Sequence, residues 1–161
     1  MRAIIWKNAW MGGLVYAGGD TLATLITDDF LYYRAIGVFI LGATLYAWEI
    51  PSYFHFLNHR YRDRNFTNAC KRMLYSSLFF NPLWIARHLI FIALFSGQWH
   101  TVDINILSIS TYSFLYALPL CLIVNYMIQN KINLEWRYVA SSCFSAFMAV
   151  YFALSDLLFG I

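Results

Sequence analysis

Apolar residues occupy this chain in five long blocks, and short polar joints separate the blocks. Each block is close to the ~20 residues that an α-helix needs to cross the ~30 Å hydrocarbon core of a bilayer. The blocks cover residues 9–27, 35–57, 74–96, 107–128 and 138–159. The pattern therefore predicts an all-α fold: a polytopic transmembrane helix bundle with five spans, or four as the alternative, that forms a single domain over residues 1–161.

The lysine and arginine residues cluster at alternate joints. If successive joints lie on opposite sides of a membrane, nearly all of the 11 cations fall on one side. These residues are Arg2, Lys7, Arg60, Arg62, Arg64, Lys71, Arg72, Lys131 and Arg137. The opposite side receives only Arg34, and Arg87 lies within the third block. The positive-inside rule produces this asymmetry, so we expect an integral membrane protein whose basic joints face the cytosol or the matrix.

The composition supports a membrane protein and argues against several other classes. Hydrophobic residues make up 61% of the chain and charged residues 12%, about half of the ~25% charged share of a soluble domain. The net charge of +3 gathers in the joints without a nucleic-acid-binding motif, so no nucleic-acid partner is expected. The three cysteines are scattered, which argues against a disulfide framework.

Several polar side chains fall within the apolar blocks, where a central charge costs ~2.5–3.5 kcal/mol on insertion scales. The candidate intramembrane polar network consists of Asp20, Glu49, Asn81, Arg87, His88 and Asn125, and Asp156 is a further polar residue of the last block. Arg87 lies at a depth similar to those of Asp20 and Glu49, so we expect one or both carboxylates to neutralise it. One interpretation is a static ion pair that fixes helix register. The other is a polar lining for a narrow pathway.

Small residues form a stripe along the first block. Ala9, Gly13 and Ala17 repeat every fourth residue, and this spacing places them on one face of a helix. Transmembrane helices pack closely over such faces, because lipid supplies no hydrophobic drive for their association. The stripe therefore predicts a helix-packing surface in the first span.

The joint at residues 58–71 is the most basic part of the chain. The joint contains Arg60, Arg62, Arg64 and Lys71, and Arg72 follows it directly. Asp63 is the only acidic residue that opposes these cations. Clusters of this kind beside a membrane span attract anionic headgroups with ~1 kcal/mol per basic residue. We therefore expect membrane lipids, above all anionic ones, as partners, although a role in setting topology also explains the cluster.

No residue pattern points to catalysis or to a metal site. His55 and His59 are one helical turn apart, but the chain has few other histidines, and we expect His100 on the opposite membrane face. The sequence contains no Gly-rich phosphate loop after a strand and no nucleophile motif. We therefore expect a non-enzymatic protein without a metal, and no cofactor other than a bound phospholipid.

Further short motifs and single residues are spread in order along almost the whole chain. They are Gly19-Asp20 after Trp6, Arg34, Gly42, Tyr53-Phe54, Leu57-Asn58, Lys71, Pro82, Pro119, Asn125-Tyr126 and Arg137. In these residues the chain resembles the family of the twenty-two-kilodalton peroxisomal membrane protein and its mitochondrial inner-membrane relatives. It departs from the family pattern at Ala47-Trp48, where the family has Gly-Pro, and at Ser76-Ser77, where the family has Asp-Gln.

The resemblance implies a non-enzymatic protein with a pore-like role or a role in membrane homeostasis, in a family usually drawn with four crossings. It also implies a multi-pass location in the mitochondrial inner membrane, with the peroxisomal and bacterial inner membranes as alternatives. A second hypothesis is a lipid-binding supernumerary subunit of a larger membrane complex, such as one of the respiratory chain. It follows from the near absence of extramembrane sequence with which the chain could recognise a soluble ligand.

Overall fold

The computed structural model describes residues 8–159, and it describes side chains up to residue 154. Arg2, Trp6 and Lys7 therefore lie outside the described residues, as does the side chain of Asp156. Over the described range the chain is predominantly helical and contains no β-strand. This confirms the all-α fold class that the apolar blocks predicted.

Long helices follow one another along the described part of the chain. They are α1 (Ala9–Ile26), α2 (Tyr32–Arg60), α3 (Phe66–Phe79), α4 (Pro82–Phe95), α5 (Asn105–Lys131) and α6 (Arg137–Phe159). Every predicted block overlaps these helices, and the third block is divided between α3 and α4. The blocks locate the helices because a backbone that crosses lipid must satisfy its own hydrogen bonds, which a continuous helix does.

Four helical stretches of the described chain are long and apolar enough to cross a membrane. These are Tyr32–Arg60, Phe66–Phe95, Asn105–Lys131 and Leu134–Leu154. Helix α1 has 18 residues but is not one of them. Its glycines and the charged Asp20 lower its hydropathy. The chain is therefore a multi-pass membrane protein with four spans by length and composition, and a fifth crossing through α1 stays a prediction.

Helix α2 changes its geometry near its middle. It is α-helical over Tyr32–Leu41, makes a π-helical turn over Gly42–Tyr46 and is α-helical again over Ala47–Arg60. The backbone oxygen of Gly42, in this turn, accepts a hydrogen bond from the hydroxyl of Tyr138. The π-helical turn thereby binds α2 to the start of α6.

A short break separates α3 from α4. Asn81 caps α4, because its side-chain oxygen accepts a hydrogen bond from the backbone N–H of Trp84 at 3.0 Å. Pro82 occupies the first turn, where a missing N–H breaks no helical hydrogen bond. Helix α3 begins before the predicted block, so Lys71 and Arg72 lie on a helix rather than in or beside a joint.

Contacts divide the chain into two compact units. The first unit covers residues 8–51 and 138–159 of the described chain, and it contains α1, the first part of α2 and most of α6. Gly13 of α1 faces α2, since a Cβ at this position would lie 2.9 Å from the Cβ of Ala43. Gly19 faces α6, where a Cβ would lie 2.5 Å from the Cα of Ala146. Helix α1 therefore packs between two neighbours at backbone-to-backbone distance.

The predicted small-residue stripe describes only one of these two contacts. Gly13 lies against α2 as expected, Ala9 is buried and Ala17 is half-buried. The contact with α6 instead uses Gly12 and Gly19, which lie on a different face of α1. A single stripe with a period of four residues identifies one packing face and misses the second.

The second unit, Ser52–Arg137, contains the end of α2 together with α3, α4 and α5. Helices α3 and α4 both pack against α5. The amide Nδ2 of Asn125 donates to Ser77 Oγ at 3.2 Å, and Ser77 donates to the backbone oxygen of Cys121 at 3.5 Å. These hydrogen bonds satisfy polar groups that lipid could not satisfy, and they fix the register of α3 against α5.

Candidate functional site

A cavity of about 530 Å³ lies within the second unit. Its walls come from the end of α2, the start of α3, the end of α5 and the joints beside these helices. Asn58, Asn65, Gln129, Asn130 and Asn133 contribute amide side chains to the lining. Asn65 also caps α3 by accepting a hydrogen bond from the backbone N–H of Asn68 at 2.8 Å. The partially positive N-terminus of α3 therefore borders the cavity.

The lining of the cavity carries a strong positive charge. Its charged residues are Arg62, Arg64, Arg72, Lys131 and Arg137, and no carboxylate is among the described residues that line it. All of these cations come from the joints and helix ends that the sequence assigned to the basic side of the membrane. Removing unpaired charge from water is costly, so buried cations are normally matched by acids. A cavity with this lining is suited to an anion.

Arg72 is held in the cavity wall by neutral groups. Its side chain is only 6% exposed. Nε and Nη2 donate to Asn130 Oδ1 at 3.0 and 2.8 Å, and Nη1 donates to the backbone oxygen of Tyr61. Asn130 is itself fixed, because its Nδ2 donates to the backbone oxygen of Tyr126 at 3.0 Å. The orientation of the guanidinium is thus set by α5 and by the joint after α2.

Arg137, at the start of α6, has a similar environment. It is 7% exposed, and its Nε donates to the backbone oxygen of Ile132 at 3.0 Å. Its Nη1 donates to Gln129 Oε1 at 3.1 Å and to Asn58 Oδ1 at 3.5 Å. In the described chain, neither Arg137 nor Arg72 forms an ion pair with a carboxylate. Two buried positive charges therefore line the same cavity without a described ion-pair partner.

Gln129 supplies a buried hydrogen-bond donor to the lining. Its side chain is 1% exposed, and the hydrogen bond from Arg137 to Oε1 fixes which way the amide points. The buried Nε2 has no acceptor among the residues that the structure describes. Leaving such a donor unsatisfied costs ~1–3 kcal/mol. An acceptor on a molecule bound in the cavity would remove this penalty.

The cations predicted to bind anionic lipid fall into different positions. Arg62 and Arg64 are exposed and line the cavity, whereas Arg60 and Lys71 are exposed and do not line it. Arg72 is buried in the wall, although the sequence placed it beside the lipid headgroups. A cation of the basic segment is buried when a residue of α5 binds it, as Asn130 binds Arg72. The local sequence around the cation does not predict that partner. For the same reason, sequence reasoning missed the cavity roles of Arg137 and Gln129.

Asp20 has a partner other than the one expected. Its Oδ1 accepts from Arg34 Nη2 at 2.6 Å and its Oδ2 accepts from Arg34 Nε at 2.9 Å. The sequence offered Arg87 as the partner of Asp20 and left Arg34 as the lone cation of the opposite side. The structure corrects this assignment: a bidentate ion pair joins α1 to α2 within the first unit.

Arg87 lies in a different setting from Asp20, on α4 in the second unit. Its guanidinium lies over the ring of Trp84 at 5.7 Å, and His88 stacks on the same ring at 5.9 Å. A cation over an indole face is stabilised by the ring quadrupole. The expected neutralisation of Arg87 by Glu49 stays a prediction.

Asn81 and Asn125, the remaining members of the predicted network, form the cap of α4 and the hydrogen bond between α3 and α5. Replacing Asn81 with alanine is expected to lower the free energy of unfolding by ~1 kcal/mol, because the N–H of Trp84 loses its acceptor. Denaturation by SDS in mixed micelles measures this change. Asn81→Ser keeps a capping oxygen and should retain most of the stability. Equal losses in the two variants would contradict the capping role.

The described residues contain no group of three His, Cys, Asp or Glu side chains that could hold a metal ion. The fold and the cavity together define a class: an α-helical multi-pass membrane protein with a basic cavity at one end of its helices. No family model, curated protein or solved structure matches the chain. The family resemblance noted in the sequence therefore stays a prediction.

Proposed function

We propose that the protein is a non-enzymatic, pore-like membrane protein whose permeating species is an anion. The observation that carries the proposal is the lining of the cavity, where five cations meet no acid among the described residues. Clefts lined by one sign of charge raise the local concentration of the opposite ion, and rings of Arg and Lys select for anions in pores. The cavity would then collect anions at the basic face of the membrane.

The asymmetry of the basic residues indicates on which side of the membrane the cavity lies. In the mitochondrial inner membrane, the location implied by the family resemblance, the basic face would be the matrix side. The partly buried ion pair of Asp20 and Arg34 is neutral as a whole and lies in the first unit. It therefore supports the fold in this proposal and does not select the ion.

A flux assay tests the proposal. In neutral phosphatidylcholine liposomes, the purified protein should release trapped phosphate or iodide faster than protein-free liposomes do. Neutralising the exposed lining residues in Arg62→Gln/Arg64→Gln should slow this anion flux about tenfold, since steering by a charged cleft is worth ~10-fold or more. Arg60→Gln is the matched control, because Arg60 is exposed in the same segment but does not line the cavity. A folded protein with no flux above background would remove the pore-like function.

A second candidate function is that of a lipid-binding subunit of a larger membrane complex. Helix α5 favours it, because Tyr112, Leu115, Tyr116 and Ile123 expose large apolar surfaces on a helix that is mostly unburied. Lipid alone or a neighbouring subunit could cover this surface. Native electrophoresis in mild detergent decides between these roles. Comigration of the tagged chain with a much larger assembly supports the subunit, and migration as a monomer or small oligomer contradicts it.

A further inference from the structure

We infer that the ligand of the basic cavity is a phosphomonoester: a doubly charged phosphate group attached to a larger organic body. The inference rests on the proposed function in one respect, since it takes the cavity to bind an anion. It goes further by naming the chemical class of that anion and the side chains that recognise it.

The two buried guanidinium groups point to a phosphate. Guanidinium groups bind phosphate oxygens through charge-assisted hydrogen bonds, and they are weakly enough hydrated to do so away from water. Arg72 and Arg137 place two such positive charges in the wall of one cavity, and neither has an ion pair with a described carboxylate. A carboxylate ligand would bring a single negative charge to them. A phosphomonoester brings ~2 negative charges near neutral pH, which matches the two buried cations.

Two donors in the same wall remain available for ligand oxygens. The hydrogen bonds of Arg137 use its Nε and Nη1 and leave its Nη2 without an acceptor among the described residues. The Nε2 of Gln129 is likewise a buried donor without an acceptor in the described chain. The two side chains are joined by the 3.1 Å hydrogen bond between Arg137 and Gln129. A phosphate group has enough acceptor oxygens to satisfy both donors at once.

The size of the cavity indicates that the phosphate carries a body. At about 530 Å³ the cavity falls within the range of small-molecule pockets, which measure ~300–1,000 Å³. Part of its lining is apolar: Phe66, Ile132 and Leu134 lie beside the charged residues. Arg62, Arg64 and Lys131 are exposed and add positive charge to the same cavity. The arrangement combines a charged subsite for the phosphate with an uncharged wall for the rest of the molecule.

This chemistry is shared by two sources, the headgroup of phosphatidic acid and a water-soluble phosphorylated metabolite. Isothermal titration of delipidated protein in a neutral detergent separates them with stated probes. Glycerol 3-phosphate represents the soluble source, dihexanoyl phosphatidic acid the lipid source, and sodium acetate a carboxylate anion. We expect at least one phosphorylated probe to bind about tenfold or more tightly than acetate. The tighter of the two phosphorylated probes identifies the source, and equal affinity for acetate overturns the inference.

The pH dependence of binding tests the required charge. A phosphomonoester loses its second proton near pH ~6. The charged residues of the lining are the arginines and Lys131, and no described lining residue is a histidine or an acid. Affinity for the preferred probe should therefore rise several-fold from about pH 5 to about pH 7. A flat profile overturns the assignment of a dianion.

Substitutions place the binding in the cavity. Arg62→Gln/Arg64→Gln removes exposed charges without disturbing a described buried contact, and should weaken the preferred probe about tenfold. Arg60→Gln and Lys71→Gln, in the same basic segment but outside the lining, should leave the affinity for the soluble probe glycerol 3-phosphate unchanged. Gln129→Leu removes the buried donor and should also weaken binding where the variant folds. Equal effects of the lining and control substitutions overturn the site.

The outcome is separable from that of the flux assay. Phosphomonoester binding without anion flux removes the pore-like function and keeps the inferred ligand. Anion flux without phosphomonoester binding keeps the function and overturns the ligand.

Discussion

Replacing Gly19 with alanine is expected to lower the free energy of unfolding by about 3 kcal/mol, at the upper end of the cost of overpacking. The added Cβ would lie 2.5 Å from the Cα of Ala146, and closer still to its Cβ. Both atoms are fixed to the backbone of α6, so no side-chain rotation can relieve the overlap. The two helices must move apart, and the close packing that replaces hydrophobic association in lipid is lost.

Gly18 provides a matched control one residue away. A Cβ at Gly18 meets nothing within 4 Å, and alanine is favoured over glycine in a helix by ~1 kcal/mol. Gly18→Ala should therefore leave stability unchanged or raise it, and SDS titration or a thermal melt in detergent measures both variants. If Gly19→Ala were as stable as Gly18→Ala, the close contact of α1 with α6 would be refuted.

The positions of the helices along the chain could be predicted from the sequence, because they depend on the length and hydropathy of the apolar blocks. The predicted block at residues 107–128 lies inside Asn105–Lys131, and the block at residues 138–159 coincides with Arg137–Phe159 to within one residue. The predicted start of the third block was too late, because Lys71 was assigned to a joint and Arg72 was placed just beyond it, whereas both lie on α3. Arg72 is buried and donates hydrogen bonds to Asn130 of α5. A charged residue near the end of an apolar block can therefore lie within a helix and does not mark the helix boundary.

The partner of Asp20 could not be read from depth alone. Counting residues along straight helices placed Asp20 level with Arg87, but depth does not specify which helices are neighbours. Arg34 lies in the first turn of α2, which follows α1 after a short connection, and its long side chain reaches back to Asp20. The usable signal was the short connection, which makes α1 and α2 antiparallel neighbours.

Only part of the cavity could be predicted from the sequence, because the sequence does not show which helices are neighbours. The basic joints showed that cations gather at one membrane face, and Arg62 and Arg64 were named as anion-binding residues. The wall of the cavity, however, needs Gln129 and Asn130 near the end of α5 to hold the two buried arginines. An amide side chain in an apolar helix can cap, pack or bind a ligand, so its position in the sequence does not assign it to a binding site.

Removing one partner of the Asp20–Arg34 ion pair is expected to have the second large effect. Arg34→Met leaves the carboxylate of Asp20, whose side chain is 8% exposed, without its bidentate donor. Losing one partner of a buried pair costs ~3–5 kcal/mol, because the remaining charge stays away from water. The free energy of unfolding in SDS should fall by about this amount, and Asp20→Leu should have a similar effect for the reciprocal reason.

The double variant Asp20→Leu/Arg34→Met distinguishes a pair from two independent residues. Replacing a whole buried pair by apolar side chains is often neutral, so the double variant should be more stable than either single variant by ~2 kcal/mol or more. Arg60→Met, an exposed arginine on the same helix, serves as the control and should change stability little. Additive losses in the double variant would show that the two charges do not act on each other. A positive coupling, by contrast, would establish that charge as well as the glycines holds α1 to α2. Helix α1 is too polar to be a membrane span by hydropathy, and its neighbours would then retain it in the fold.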